Sequence, residues 1–177
     1  MSQSSQIPPS QIDSPETELH GPVVGIGTSA GGLEALKAFF AQVPEDSGMS
    51  FVVIQHLAPD HQSALADILS SSTKMPVQQL TSPTAIKINS VYVCAPDTVV
   101  IIKERNLIPM TTPETGVHRL PIDYFLRSLA VELNENAVGI LLSGAGSDGT
   151  MGLQAIYRFG GLTLGQTPVS ARFYALP

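Results

Sequence analysis

Short apolar runs without polar alternation recur along the chain and predict buried β-strands. The three clearest runs cover residues 23–26, 51–54 and 137–142, and a shorter one covers residues 162–164. A strand that is apolar on both faces is typical of a parallel sheet with helices packed against it. The pattern therefore predicts a mostly parallel sheet buried between layers of helices.

Between these runs, apolar residues recur at three- and four-residue spacing, which is typical of amphipathic helices. Leu33, Leu36 and Phe40 share one such face, and Pro44 ends the segment. Helices are predicted over residues 33–43, 61–69, 122–133 and 151–159. Strands that alternate with helices in this way predict a doubly wound α/β domain with helices on both faces of the sheet.

The segment from residue 77 to residue 110 has a different pattern. It holds two short β-like runs, at residues 91–93 and 99–102, and a turn-like sequence at residues 104–106 before a further apolar pair. Short runs separated by turn residues are typical of antiparallel pairs. We expect an antiparallel hairpin or edge beside the parallel sheet.

Composition divides the chain into a leader and one domain. Residues 1–21 are rich in Ser, Gln, Pro and acidic residues and have few large apolar side chains, so they are interpreted as a flexible leader. Residues 22–177 supply most of the 43% hydrophobic content and are long enough for one domain with a sizeable core. We expect a single folded unit over residues 22–177.

Charge and cysteine content exclude several classes of function. The net charge is −6, and only nine Lys and Arg are scattered along the chain, which argues against a nucleic-acid surface. Cys94 is the only cysteine, so an intrachain disulfide and a cysteine-rich metal site are excluded. No apolar run approaches the roughly 20 residues that span a bilayer. These features are consistent with a cytoplasmic protein.

Three residues with catalytic side chains follow predicted strands. Ser29 lies in the motif Gly27-x-Ser29-x-Gly31, which has the spacing of a nucleophile elbow at a strand-to-helix corner. His56 and Asp148 follow the second and third strands. Ligands bind beyond the carboxyl ends of strands in open α/β sheets, and a serine nucleophile needs a base and an orienting carboxylate. The three residues predict a serine-hydrolase site at this end of the sheet.

Each residue also has a structural interpretation. Taken singly, Ser29 is interpreted more readily as a helix N-cap, His56 as a hydrogen-bonded strand-end histidine, and Asp148 as a cap of the helix that follows it. Their joint occurrence at three strand ends favours the triad. The order Ser, His, Asp differs from the Ser, acid, His order of lipases and esterases, which disfavours that topology.

The same glycines also fit a dinucleotide-binding fingerprint. Gly25-x-Gly27-x-x-Ala30 has the loose spacing of that motif. A dinucleotide site places an acidic residue at the end of the second strand, whereas this chain has Gln55-His56 there. Hydrolysis is therefore favoured over dinucleotide binding.

Four blocks in fixed order resemble the CheB family of chemotaxis protein-glutamate methylesterases. They are GTSAGGLEAL at residues 27–36, VIQHL at 53–57, PIDYFLRSLA at 121–130 and LSGAGSDG at 142–149. The resemblance implies an α/β domain that hydrolyses glutamate methyl esters on the cytoplasmic helices of chemoreceptors and, in some members, deamidates glutamines there. It implies Ser29 as nucleophile, His56 as general base and acid, and Asp148 as the residue that orients His56. No metal or organic cofactor is implied.

Some features depart from the family pattern. Backbone amides at Ala30 or around Ala145 and Gly146 are the candidates for the oxyanion hole, and both alanines replace larger residues common in the family. The blocks look more like esterase modules fused ahead of a CheR-type methyltransferase than like members with an amino-terminal receiver domain. The domain over residues 22–177 is also expected to lack the last helix and strand of the family. A non-catalytic module that docks onto a receptor or signalling partner is the alternative function.

Three further side chains are candidates for receptor contacts. They are His118, Arg119 and Arg127, in and after the irregular segment that precedes the third predicted helix.

Overall fold

Alternating strands and helices build an α/β fold in the computed structural model, which describes residues 21–29, 31–55, 64–96, 98–111, 120–144 and 146–171. The strands are β1 (Val23–Thr28), β2 (Ser50–Gln55), β3 (Val77–Leu80), β4 (Thr84–Ala85), β5 (Ser90–Cys94), β6 (Thr98–Lys103), β7 (Asn106–Thr111), β8 (Ala137–Leu141) and β9 (Leu162–Gly165). The helices are α1 (Gly32–Phe40), α2 (Leu65–Ser70), α3 (Pro121–Leu133) and α4 (Thr150–Arg158), with a 3₁₀ turn at Asn134–Asn136.

Six strands of the described chain form one sheet in the order β3-β5-β2-β1-β8-β9. Every neighbouring pair in it is parallel. All six residues of β1 are buried, which explains why its sequence is apolar without alternation. The strand that follows β1 in the chain, β2, pairs with one edge of β1, whereas β8 pairs with the other edge. The loops after β1 and β8 therefore meet at a topological switch point, the usual ligand position in such sheets.

Helices cover both faces of this sheet, which confirms the doubly wound prediction. Val24 and Ile26 of β1 belong to the apolar cluster that holds Leu36 and Phe40 of α1 together with residues of α2. The opposite face packs against α3 and α4, whose buried side chains form a second cluster with β2, β5 and β8. Two apolar layers thus hold β1 between them and fix where its carboxyl end lies.

Gly25 and Gly27 lie inside β1 and admit α3 close to the sheet. A Cβ atom on Gly25 would lie 2.6 Å from Cδ2 of Leu126 and 2.9 Å from Cε1 of Phe125. A Cβ atom on Gly27 would collide with Ile122. These glycines are needed because α3 packs closely against the middle of β1. They do not lie in a turn, as the glycines of a dinucleotide-binding motif do, so that interpretation is not supported.

A second, antiparallel sheet has the order β4-β7-β6. Glu104 and Arg105 form the tight turn between β6 and β7, with positive φ angles of 49° and 56°, and Asn106 already pairs with Lys103. The expected hairpin is confirmed for these strands. The assignment of residues 91–93 to the antiparallel part is wrong, because β5 is buried along its whole length and pairs in parallel with β2 and β3.

Several boundaries differ from the sequence prediction. The first helix ends at Phe40 rather than at residue 43, and the second begins at Leu65 within the described chain. β3 was not predicted, because only one of its four residues is fully buried and two are glutamine. The predicted leader lies outside the described residues up to position 20, as does the start of the helix predicted from residue 61. None of the described helices is long and apolar enough to cross a membrane.

Cys94 ends β5 inside the core, and its burial gives a testable prediction. Desolvation raises the pKa of its thiol from 9.0 to about 12. Between these values the unfolded chain ionises its thiol while the folded protein keeps the proton, so stability falls as pH rises above about 9. We expect the thiol to react slowly with an aromatic disulfide reagent in the folded protein and rapidly in denaturant. Denaturation curves of Cys94→Ala should show a smaller alkaline loss of stability than wild type; equal losses would contradict this.

Candidate active site

The loops after β1 and β8 come together at the carboxyl end of the sheet. Ser29 directly follows β1, and Asp148 lies in the loop between β8 and α4. In the register of β1 and β2, Thr28 pairs with Gln55, and these are the residues that precede Ser29 and His56 in the chain. His56 itself lies outside the described residues. The structure thus places Ser29 and Asp148 on the two loops of the switch point.

Ser29 is at a sharp corner between β1 and α1. Its carbonyl accepts a hydrogen bond from the amide of Gly32 at 3.1 Å, and Gly31 takes a φ of 77° before the helix begins. Gly31 is the N-cap of α1, and among the described residues no side chain caps this helix. The helix-cap interpretation of Ser29 is therefore wrong. The half-buried Ser29 hydroxyl makes no hydrogen bond with the described part of the chain.

The carbonyl of Ser143 holds this corner in place. It accepts a hydrogen bond from the Ser29 amide at 3.2 Å and another from Oγ1 of Thr28 at 3.0 Å. Thr28 and Ser143 are both fully buried, at 0% and 1% exposure. The amide of Leu142 also donates to the carbonyl of Gly27 at 2.9 Å. These contacts join the ends of β1 and β8, so the position of Ser29 depends on the loop that carries Asp148.

Asp148 is buried, with only 4% of its surface exposed, and both carboxylate oxygens accept backbone hydrogen bonds. Oδ1 accepts from the amide of Asp123 at 2.9 Å, and Oδ2 accepts from the amide of Ile122 at 3.1 Å. These amides belong to the first turn of α3, where a negative charge is favourable. Gly149 is the N-cap of α4 and offers no side chain to its first turn. The prediction that Asp148 caps the following helix is wrong, since it caps α3.

Asp123 makes the reciprocal contact. Its Oδ1 accepts a hydrogen bond from the amide of Gly152, in the first turn of α4, at 2.6 Å. Asp123 is 5% exposed, and Gly152 packs against Leu126 so closely that a Cβ atom there would lie 2.5 Å from Cβ of Leu126. The first turns of α3 and α4 are thus tied together by two carboxylates. This arrangement holds Asp148 in one orientation beside the switch point.

Other predicted site residues are placed less completely. His56, Ala30, Ala145, His118 and Arg119 lie outside the described residues. Of the predicted oxyanion segment, Gly146 is described, with a φ of 106°. Arg127 is exposed on α3. The oxyanion donors and the receptor contacts therefore stay predictions.

Four residues that shape the site were not assigned a role from the sequence. Thr28 and Ser143 join the ends of β1 and β8, Asp123 ties α3 to α4, and Gln166 binds the amide of Ser143 at 2.8 Å. Thr28, Asp123 and Ser143 lie within the family-like blocks, and this position was the only sequence feature that pointed to them. Gln166 follows a short strand, and no motif in the sequence indicated a role for it.

Comparisons with known proteins agree with this architecture. The family described as CheB methylesterase matches residues 24–177. A protein of Paramagnetospirillum magneticum named protein-glutamate methylesterase/protein-glutamine glutaminase 3 is 32% identical over 157 residues, which cover 88% of this chain and 44% of that protein. A Treponema denticola protein named protein-glutamate methylesterase/protein-glutamine glutaminase is 29% identical over 160 residues, 88% of this chain and 43% of that protein. The chain therefore spans less than half the length of these relatives.

The fold is also similar to a solved structure. The crystal structure of the Thermotoga maritima CheB methylesterase catalytic domain superposes with a TM-score of 0.79 at 23% identity, covering 89% of this chain and 86% of that one. The family match over residues 24–177 includes the loops that carry Ser29 and Asp148. The chain belongs to the CheB methylesterase family.

Proposed function

We propose that this chain hydrolyses glutamate methyl esters on the cytoplasmic regions of chemoreceptors, with Ser29 as nucleophile, His56 as general base and acid, and Asp148 as the residue that orients His56. The observation that carries the proposal is the corner at Ser29, where a hydroxyl without a capping role stands at the switch point beside the loop of a buried carboxylate. The names of the relatives, which pair methylesterase with glutaminase, add glutamine deamidation as a second reaction of the same site.

The proposed reaction has two steps. In the first, the Ser29 oxygen attacks the ester carbonyl while His56 takes the hydroxyl proton, and methanol leaves with that proton, giving an acyl-enzyme. In the second, a water molecule gives a proton to His56 and attacks the acyl group, and His56 passes that proton to the Ser29 oxygen as the glutamate is released. Deamidation follows the same course, with ammonia as the leaving group in place of methanol.

The contacts of Asp148 support the role of an orienting carboxylate. Its two oxygens accept amide hydrogen bonds from α3, and charge-assisted bonds of this kind favour the ionised form. A carboxylate oxygen can accept more than one hydrogen bond, so the amide bonds from α3 are compatible with an imidazole N–H as a further donor. A carboxylate fixed in this way holds a histidine in one tautomer and stabilises the imidazolium formed during attack.

Release of methanol from a methyl-labelled receptor fragment tests the proposal. We expect the chain to liberate labelled methanol in amounts that follow its concentration, and heat-denatured protein to liberate none. Retention of the receptor fragment by the chain without any methanol release would contradict the esterase proposal and favour the docking module. Parallel measurement of ammonia from receptor glutamines tests deamidation separately.

The same assay gives a pH prediction. A histidine base works only as the neutral imidazole, so the rate should fall as the solution becomes acidic enough to protonate free histidine. The measurement is kcat/KM for methanol release across mildly acidic and neutral buffers of constant ionic strength. A rate that does not change over this range would exclude His56 as the base.

A further inference from the structure

Gln166 directly follows β9 and reaches back across the end of β8. Its amide donates to the carbonyl of Leu141 at 2.9 Å, which extends the pairing of the two strands by one residue. Its side-chain Oε1 accepts a hydrogen bond from the amide of Ser143 at 2.8 Å. Backbone and side chain of one residue therefore bind the point at which the chain leaves β8 for the loop of Asp148.

The other end of the same side chain is bound as well. Nε2 of Gln166 donates to the carbonyl of Ser170 at 2.9 Å, within a turn in which the amides of Ser170 and Ala171 donate to the carbonyl of Thr167. A donor on one side and an acceptor on the other determine which way the amide group faces. The oxygen of Gln166 is thus held toward Ser143.

Ser143 connects Gln166 to the corner that carries Ser29. While its amide is bound by Gln166, its carbonyl binds both the amide of Ser29 and the hydroxyl of Thr28. Ser143 is 1% exposed, so water does not readily replace a lost partner. Removing the Gln166 oxygen would take away the acceptor of the Ser143 amide and weaken the hold on the residue that fixes Ser29.

We propose that Gln166 is a positioning residue for catalysis, which holds Ser143 so that the Ser143 carbonyl keeps Ser29 in its attacking orientation. This inference rests on the proposed function and adds to it a residue that touches neither the nucleophile nor the carboxylate. A shift of a nucleophile by a fraction of an ångström slows the chemical step more than it weakens substrate binding. The effect of losing Gln166 therefore falls on kcat rather than on KM.

Two substitutions of similar length separate this role from a merely structural one. Gln166→Met fills a similar space without an oxygen. Gln166→Glu keeps an acceptor for the Ser143 amide but turns a second carboxylate oxygen toward the Ser170 carbonyl, and the exposed turn at Ser170 can hydrate or move to relieve that repulsion. We expect kcat for a peptide carrying a glutamate γ-methyl ester to fall about tenfold in Gln166→Met, with KM within about twofold, and Gln166→Glu to recover most of the rate. Gln154→Ala, on the exposed side of α4, is the matched control.

The outcomes distinguish this inference from the proposed function. A Gln166→Met enzyme with the kcat of wild type, or Met and Glu variants that are equally slow, would overturn the positioning role while leaving the esterase proposal intact. Full activity in Ser29→Ala would overturn the proposed function instead. Hydrogen exchange on wild-type protein adds a test that needs no variant to fold: the amides of Ser143 and Ser29 should exchange as slowly as those of β8, and fast exchange at Ser143 would refute the contact.

Discussion

Replacing Ser29 with alanine is expected to lower kcat for methanol release by on the order of 10⁴-fold or more. The reason is that the alanine variant has no oxygen to form the acyl-enzyme, so only direct attack by water remains. Stability should change little, because the Ser29 hydroxyl makes no hydrogen bond with the described residues. The measurement is methanol release under saturating substrate, together with a thermal denaturation curve.

Ser71→Ala is the matched control for this experiment. Ser71 is exposed after α2, and its hydroxyl makes only a long 3.5 Å bond to the carbonyl of Asp67. We expect this variant to keep wild-type activity. Mass spectrometry of wild-type protein treated with a fluorophosphonate should locate one modification at Ser29. Unchanged turnover in Ser29→Ala, or modification at another serine, would refute Ser29 as the nucleophile.

Replacing Asp148 with asparagine is expected to damage catalysis and stability together. Both carboxylate oxygens accept amide hydrogen bonds from α3, so any rotamer of asparagine directs an NH₂ group against one of those amides. Leaving a buried donor without an acceptor costs about 1–3 kcal/mol of unfolding free energy. Loss of the orienting carboxylate should reduce kcat by roughly 10³- to 10⁴-fold.

Chemical denaturation and methanol release on the same preparations test this double effect. Asp67→Asn is the control, since Asp67 is exposed on α2. The control should match wild type in both measurements. An Asp148→Asn variant that keeps wild-type stability would contradict the capping contacts, whereas one that is less stable but fully active would show that Asp148 serves only α3.

The central sheet was predictable because its signal is local. β1, β2 and β8 are each a continuous apolar run, and burial on both faces leaves no room for polar alternation. The position of Ser29 followed from the same run, since glycines and a helical pattern come directly after it. The buried strands and the corner at Ser29 can therefore be predicted from residues adjacent in the chain.

The place of β5 was not predictable on the same basis. Its five residues are as apolar as a central strand, but they lie among short strands and turn residues that indicated an antiparallel pair. The structure inserts β5 between β2 and β3, so that the strand next in chain order to β2 is not its neighbour in space. Pairing of this kind depends on which edges remain open once the core has formed.

The sequence by itself determined the alternation of strands and helices, the family, and the corner that presents Ser29, because each depends on residues adjacent in the chain. The tertiary structure decided what Asp148 and Gln166 do. Asp148 binds amides 25 and 26 positions earlier, and Gln166 binds one 23 positions earlier. The sequence does not show whether a polar side chain after a strand binds nearby amides or distant ones. The packing of α3 against α4 brings Asp148 to its amides, and the packing of β9 against β8 brings Gln166 to the amide of Ser143.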